Sequence, residues 1–271
     1  IPDESKAVAF LTKVNYFRAA GYFRYFQVDP KNSINRFEPG ANFDEIVEVY
    51  NLDLLLRQQL LLGLSIYEVA FKAQFVRQSV RVQGSTAYAI SPSYLPLVKT
   101  TANGQIDLRN ALMSNLYRDL KQSRERFVSR HDLQHSFPPV WAAIETFTMG
   151  TISKMFELSV DDVRYPLART FELPNPEFAT SQLRSFTVLR NHCAHQARIW
   201  NRVVEFPPKV LKKLKVEEDQ SIYQTTPWSQ IVSLAHQVDL IQQNQDFSAE
   251  MSELVNKNQK FLKGLKHPHQ I

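Results

Sequence analysis

The sequence of 271 residues contains a single cysteine, Cys193, and only seven glycines. One cysteine excludes an intramolecular disulfide and a zinc site built from several cysteines, which is typical of proteins from the reducing cytosol. The few glycines form no G-x-G-x-x-G or P-loop pattern, so these phosphate-binding loops are excluded. We therefore expect a cytoplasmic protein with no metal and no cofactor.

Long apolar runs are also lacking. The most apolar stretch, Leu52 to Leu64, is interrupted by Asp53, Arg57 and two glutamines, and a membrane-spanning helix needs about 18 or more apolar residues. We therefore expect no membrane span and no membrane partner. The chain begins at Ile1 rather than methionine, so we expect further residues to precede it.

Hydrophobic residues make up 44% of the chain, which is enough for a substantial core. The 32 lysines and arginines exceed the 27 acidic residues, giving a net charge of +5. This surplus slightly favours a polyanionic partner such as nucleic acid but does not identify one.

Apolar residues recur at three- and four-residue intervals through most of the chain, as in amphipathic helices. Sustained alternation with period two is missing, so the sequence predicts an all-α protein without a sheet. The irregular stretch 83–110, with two prolines and two glycines, is interpreted as a long loop. The predicted helices are Glu4 to Val28 with a possible break near Gly21, Phe43 to Val82, Leu112 to Arg130, Val140 to Leu158, Val160 to Phe171, Phe178 to Val204, Lys209 to Lys215, Trp228 to Asn244, and Ser248 to Leu265.

One helix contains the candidate catalytic residues Arg190 and His195. With 3.6 residues per turn, Asn191, His195, Arg198 and Arg202 would share one helix face. Arg190 would lie about 140° from His195 on an ideal helix, so only the length of the arginine would let both reach one target.

These residue types suit RNA cleavage without a metal. A histidine with a pKa near 6.5 can accept the 2′-hydroxyl proton or protonate the leaving oxygen, and a guanidinium stabilises the charged transition state. Asn191 can orient the imidazole or bind the phosphate, and His192 is an alternative to His195. A histidine in a helix is nevertheless more often structural than catalytic.

Other polar residues have two interpretations each. Asp53 and Arg57 are spaced i, i+4 and form either an exposed ion pair, which we favour, or part of the catalytic cleft. Glu145 is either a buried partner of an arginine such as Arg190 or a residue at a polar edge. Trp141 and Trp200 are either core residues, which we favour, or platforms on which bases stack. Cys193 is either a small packing residue, which we favour, or a thiol nucleophile.

Basic residues along two segments form a positive surface that is either simply solvated or able to bind RNA phosphates. The candidate RNA contacts are Arg118, Lys121, Arg124, Arg126, Arg130, Arg198, Arg202, Lys209, Lys212, Lys213 and Lys215.

The run RNHCAHQARIWNR, from Arg190 to Arg202, resembles the signature R-N-x-C-A-H-x-x-R-[LI]-W-N-R of Abi-like proteins of the AbiD/AbiF type, a bacterial abortive-infection family. Three earlier blocks are similar to the same family in the same order, so the resemblance extends from about Ala9 to Arg202. These blocks are Ala9 to Leu11 with Asn15 to Arg18 and Gly21-Tyr22; Phe43 with Tyr50, Asp53, Leu56 and Arg57; and Pro139 to Trp141 with Glu145, Phe147 and Gly150.

The resemblance implies a HEPN-like helical bundle with an N-terminal helical extension and C-terminal accessory helices. It implies a single domain over 1–271, with a HEPN core at about 43–204 and a helical region at 205–271. Two R-x4-H motifs would meet across a homodimer interface, where Arg190 and His195 would be catalytic and Asn191 supporting.

The implied function is antiphage defence by a toxin that cleaves RNA without a metal and is controlled by, or complexed with, a structured noncoding RNA. Two positions depart from the family pattern. Gln196 stands where many members have a second histidine, and His192 occupies a usually variable place.

Two other functions remain open at this point. The protein could be a nuclease-silent RNA-binding module that acts by sequestration, or a structural partner whose motif serves packing.

Overall fold

The structure is a computed structural model and describes residues 4–32, 34–101, 104–131, 133 and 135–269. The prediction of an all-α protein is confirmed, because helices dominate these residues and the two sheets are small. The α-helices of the described residues are α1 (Glu4–Lys13), α2 (Tyr16–Phe23), α3 (Phe43–Gln83), α4 (Leu108–Gln122), α5 (Arg126–Ser129), α6 (Val140–Ala143), α7 (Met149–Leu158), α8 (Asp161–Thr170), α9 (Pro176–Ala194), α10 (Pro227–Gln242), α11 (Asp246–Asn256) and α12 (Gln259–Lys266).

Several predicted helices are in fact pairs of helices, separated where a polar side chain caps a new helix. Asn15, Thr148 and Asn258 each accept a backbone N–H from the first turn that follows them. The N-terminal helix therefore breaks at Asn15 and not near Gly21. The predicted helix from Leu112 to Arg130 also ends early, at Gln122, and the stretch from Lys209 to Lys215 contains only a 3-10 turn, Lys212–Leu214.

The prediction that no sheet forms was wrong at two hairpins. Strands β1 (Gln27–Asp29) and β2 (Ile34–Phe37) pair antiparallel, as do β3 (Val98–Thr101) and β4 (Gly104–Asp107). The second hairpin lies inside the stretch that was interpreted as a loop. Both are too short to show a clear alternating pattern in the sequence.

The chain divides into two compact units, one formed by residues 1–64 and 188–271 and the other by residues 65–187. In the second unit, the ring of Phe171 packs against those of Tyr67 and Phe71. Its centroid lies 5.5 Å from the centroid of each. The single domain and its HEPN core boundaries stay predictions.

Helix α3 is long and apolar enough, by length and composition alone, to cross a membrane. Its residues Leu56 and Leu60 are fully buried in the first unit, whereas Leu55 and Leu62 are exposed. This one-sided burial is typical of a helix that contributes one face to a protein core. The expected lack of a membrane partner stays a prediction.

Candidate functional site

Helix α9 ends within the candidate motif. Gln196 has the left-handed backbone conformation, with φ of 57°. Its N–H donates to the carbonyl of Cys193 at 3.0 Å, and the N–H of Ala197 donates to the carbonyl of His192 at 2.8 Å. This pair of bonds is the Schellman motif, which closes a helix at a left-handed residue. The predicted helix from Phe178 to Val204 therefore stops ten residues early, at Ala194.

This early end changes the predicted face of the helix. Asn191 and His195 are still one turn apart, because the N–H of His195 donates to the carbonyl of Asn191 at 2.9 Å. Arg198 and Arg202 lie beyond the end of α9 and do not continue its face, so the prediction of one shared row was wrong.

Arg190, Asn191 and His195 are all exposed at the end of α9. The Arg190 guanidinium donates through Nη1 to the side-chain oxygen of Asn191 at 3.4 Å. A permanent positive charge, an amide and an imidazole are thus open to solvent within six residues. Such groups can bind a phosphodiester and move a proton, which fits the chemistry expected of them.

His192, the alternative candidate, is placed differently. It is half-buried in a small cleft that also contains Arg202 and Glu205. Burial, together with the positive charge of Arg202, lowers the pKa of His192 below its ordinary value. The imidazole is therefore held neutral at pH 7.

Asp53 and Arg57 form an ion pair, but it is buried and not exposed as expected. Both side chains are at most 1% exposed, and the hydroxyl of Tyr22 donates to Asp53 Oδ2 at 2.5 Å. Two guanidinium nitrogens of Arg57, Nε and Nη2, are buried without a hydrogen-bond partner among the described residues. A buried charge is stable only with such close partners, so this cluster is sensitive to substitution.

The Asp53 carboxylate joins this cluster to the segment that follows α9. It accepts the backbone N–H of Trp200 at 2.9 Å and that of Ile199 at 3.4 Å. Arg198 extends the same contact, because its Nη1 donates to the carbonyl of Gly21 and its guanidinium lies 6.0 Å from the ring centre of Tyr22. Three sequence blocks that resembled one family thus meet around one carboxylate.

The sequence reasoning missed this role of Tyr22 and Asp53. Their common membership in the family blocks was the available signal. Spacing within one helix instead suggested a local surface pair, because an i, i+4 pattern is identical for buried and exposed pairs.

Trp200 and Cys193 hold the end of α9 in the core, as predicted for both. Trp200 is fully buried, stacks on Tyr22 with ring centres 6.1 Å apart, and donates through Nε1 to the carbonyl of Phe261 at 2.9 Å. Burial, with the charge of Asp53 added, raises the pKa of the Cys193 thiol to about 12. This thiol stays protonated and acts as a packing residue.

Trp141, predicted to be a core residue, lies at the surface, and of the two interpretations of Glu145 its exposure favours the polar edge. Trp141 is 54% exposed, so its prediction as a core residue was wrong. Glu145 has a side chain that is 63% exposed and lies 3.6 Å from Lys72 Nζ. Because α6 lasts only four residues, the pattern that placed both on one long helix does not apply.

The predicted RNA contacts are mostly exposed but lie on short, separate elements. Arg118 and Lys121 lie on α4, Arg124 on the connection after it, Arg126 on α5, and Arg130 directly after α5. Lys209, Lys212, Lys213 and Lys215 are exposed as well. Arg202 is half-buried and donates to the carbonyl of Arg198 at 3.1 Å.

The described residues thus define an all-α protein with an exposed Arg190–His195 motif at a helix end that is anchored by a buried carboxylate. A family model described as Abi-like protein matches residues 9–201. The chain belongs to this Abi-like family of abortive-infection proteins, which have a role in phage defence. Neither a curated protein nor a solved structure gives a match.

Proposed function

We propose that this protein is an endoribonuclease toxin of phage defence that cleaves RNA without a metal. The observation that supports this most is the exposure of Arg190, Asn191 and His195 together at the end of α9. Trp200 and Cys193 are buried nearby, so the same segment carries both its anchor and its reactive groups.

In the proposed reaction, the 2′-oxygen of the RNA attacks the adjacent phosphorus and the bond from phosphorus to the 5′-oxygen breaks. One His195 accepts the 2′-hydroxyl proton, and a second protonated histidine donates a proton to the leaving 5′-oxygen. Arg190 stabilises the extra negative charge on the phosphoryl oxygens. The products are a 2′,3′-cyclic phosphate and a 5′-hydroxyl end.

This reaction needs one proton acceptor and one proton donor, and each chain offers one exposed His195. A homodimer would supply the second, from His195 of the partner subunit. Glu145 and His192 are less suitable as supporting groups. The carboxylate of Glu145 lies against Lys72, and the imidazole of His192 is half-buried.

The test compares Arg190→Ala and His195→Ala with wild type in an RNA cleavage assay containing EDTA. Each variant should lose cleavage at least about a hundredfold, because general acid–base catalysis by His195 and charge stabilisation by Arg190 each contribute at about this level. Arg184→Ala is a matched control, since Arg184 is exposed on the same helix but lies outside the motif. Full cleavage by both motif variants in EDTA would refute the proposal that these residues form a nuclease site.

The same variants distinguish the nuclease from a module that only binds RNA. A nuclease should keep its RNA affinity in His195→Ala while losing toxicity and cleavage. If toxicity instead follows RNA affinity and falls only when Arg118, Arg124 and Arg126 are replaced, the protein acts by sequestration. Sequencing of nucleic acid that copurifies with the protein tests whether a structured noncoding RNA is its partner.

A further inference from the structure

A cavity of about 550 Å³ lies among α1, α2, the first hairpin and the start of α3. Its volume falls within the range of about 300–1,000 Å³ that is usual for small-molecule sites. Tyr16, Phe23 and Phe37 form aromatic walls, and Phe23 lies 6.5 Å from the ring centre of Tyr16 and 6.3 Å from that of Phe37. None of the described residues that line it is charged.

Three side-chain amides also line this aromatic cavity, those of Gln27, Asn35 and Asn42. The Asn42 oxygen accepts the N–H of Asp44 at 2.9 Å, which leaves one of its lone pairs and its NH₂ group. The cavity thus presents amide groups, which can donate and accept hydrogen bonds, beside aromatic rings.

A second cavity, of about 540 Å³, adjoins the first and shares Tyr16, Phe23, Gln27 and Asn35 with it. Its one charged lining residue among those described is Arg24, which is exposed. Beside it, Phe17 is 87% exposed, which is unusual for a phenylalanine. An uncharged aromatic cavity therefore borders a surface that carries a guanidinium.

We infer that this pair of cavities binds a nucleotide of single-stranded RNA, with the base in the uncharged cavity and the adjoining phosphate at Arg24. A base stacks on aromatic rings and carries donors and acceptors on its edge that amides can pair with. A lipid chain would cover the amides of Asn35 and Asn42 without pairing them, and burying a polar group without a partner is unfavourable. The inference rests on the proposed RNA partner but not on the proposed cleavage chemistry.

The test measures binding of fluorescein-labelled 2′-O-methyl oligoribonucleotides by anisotropy. These oligonucleotides cannot be cleaved through a 2′-hydroxyl, so a failure of the proposed nuclease leaves the result unaffected. Wild type should bind ten-residue adenosine or uridine oligonucleotides more tightly than an abasic oligonucleotide of equal length. Tyr16→Ala should weaken binding of the base-bearing oligonucleotides at least about fivefold, the lower end of what a lost stacking contact costs.

Two further variants separate base from phosphate. Asn35→Leu should weaken binding of base-bearing oligonucleotides and leave binding of the abasic one unchanged, because the exposed Asn35 amide lines both cavities. Arg24→Ala should weaken the binding of both kinds of oligonucleotide equally. It should also reduce the slope of log affinity against log salt concentration by about one, as expected for one lost phosphate contact. Tyr165→Ala, an exposed tyrosine on α8, is the matched control and should bind as wild type does.

Equal affinity of wild type for base-bearing and abasic oligonucleotides would overturn the inference. It would also be overturned if Tyr16→Ala, still folded by circular dichroism, bound as tightly as Tyr165→Ala. Sedimentation of the same variants reveals the main alternative. If Tyr16→Ala dissociates a dimer without changing oligonucleotide affinity, the cavity binds a second copy of the chain and not a base.

Discussion

At the scale of single residues, Asp53 has the largest predicted effect on stability. Its carboxylate is fully buried and accepts hydrogen bonds from Tyr22, Arg57 and the N–H of Trp200. Asp53→Ala would leave the Arg57 charge buried without its carboxylate partner, and losing one member of a buried pair costs about 3–5 kcal/mol. We expect urea unfolding to show a loss of this size.

The exposed pair of Lys6 and Asp44 provides the comparison for Asp53. These side chains are 56% and 62% exposed and lie 3.0 Å apart. Asp44→Ala should reduce the free energy of unfolding by less than about 1 kcal/mol, because solvent screens exposed pairs. Similar losses at both positions would contradict the special role of the buried carboxylate.

His192 should make stability depend on pH. Its pKa is lowered in the folded state by burial and by Arg202, so the unfolded chain takes up a proton at a higher pH than the folded chain does. The contribution of His192 to stability is therefore present above its unfolded pKa of about 6.5 and is lost as pH falls from there through the folded pKa.

Urea unfolding at pH 7.5 and pH 5.5 checks this expectation. Wild type should lose more stability between these two values than His192→Gln does, because glutamine does not titrate. Equal losses would show that His192 takes up its proton in the folded and unfolded states alike.

At the scale of elements, the end of α9 is set by a residue with an unfavourable backbone. Gln196 has φ of 57°, a conformation that glycine adopts without cost and other residues adopt with strain. Gln196→Gly should raise the free energy of unfolding by about 0.5–1 kcal/mol, because relief of the left-handed strain exceeds the entropy cost of ordering glycine. Gln243→Gly, at the left-handed residue that ends α10, should give a gain of similar size.

Thermal unfolding of the two glycine variants measures both gains. Gln196→Gly should also keep cleavage if position 196 serves only the turn. A loss of cleavage in a stabilised Gln196→Gly variant would assign this side chain a part in the site.

The longer helices were predictable from the sequence, whereas the two short hairpins and many element ends were not. Periodic apolar residues predicted α3 to within one residue at its C-terminal end, because no proline or capping signal interrupts it. Asn15 and Thr148 begin new helices inside continuous periodic patterns. In the sequence, a cap residue looks the same as any other polar residue of a helix. Whether a new helix begins there depends on tertiary packing.

The candidate site was likewise predictable only in part. The motif itself predicted Arg190, Asn191 and His195, and these residues are exposed together. The contact from Trp200 to Asp53 joins residues 147 positions apart, and no local pattern encodes it. Resemblance to one family was the only sequence feature that linked the two segments.

At the scale of the whole molecule, the proposed site is complete only when two copies of the chain meet. Excess His195→Ala chains, coexpressed with tagged wild type, would then capture wild-type chains in mixed dimers that have one imidazole in place of two. Cleavage per wild-type chain should fall as the variant is added, although the amount of wild type stays constant.

Saturating RNA in this assay keeps the variant from acting merely by binding substrate. Coexpression with the chain carrying Arg184→Ala, which has an intact motif, should leave cleavage per wild-type chain at or above its starting value. Should excess His195→Ala leave the wild-type rate unchanged while sedimentation shows mixed dimers, each chain must contain a complete site. His192 would then become the candidate for the second proton-transfer group. It is the other histidine of the motif and lies in the last turn of α9.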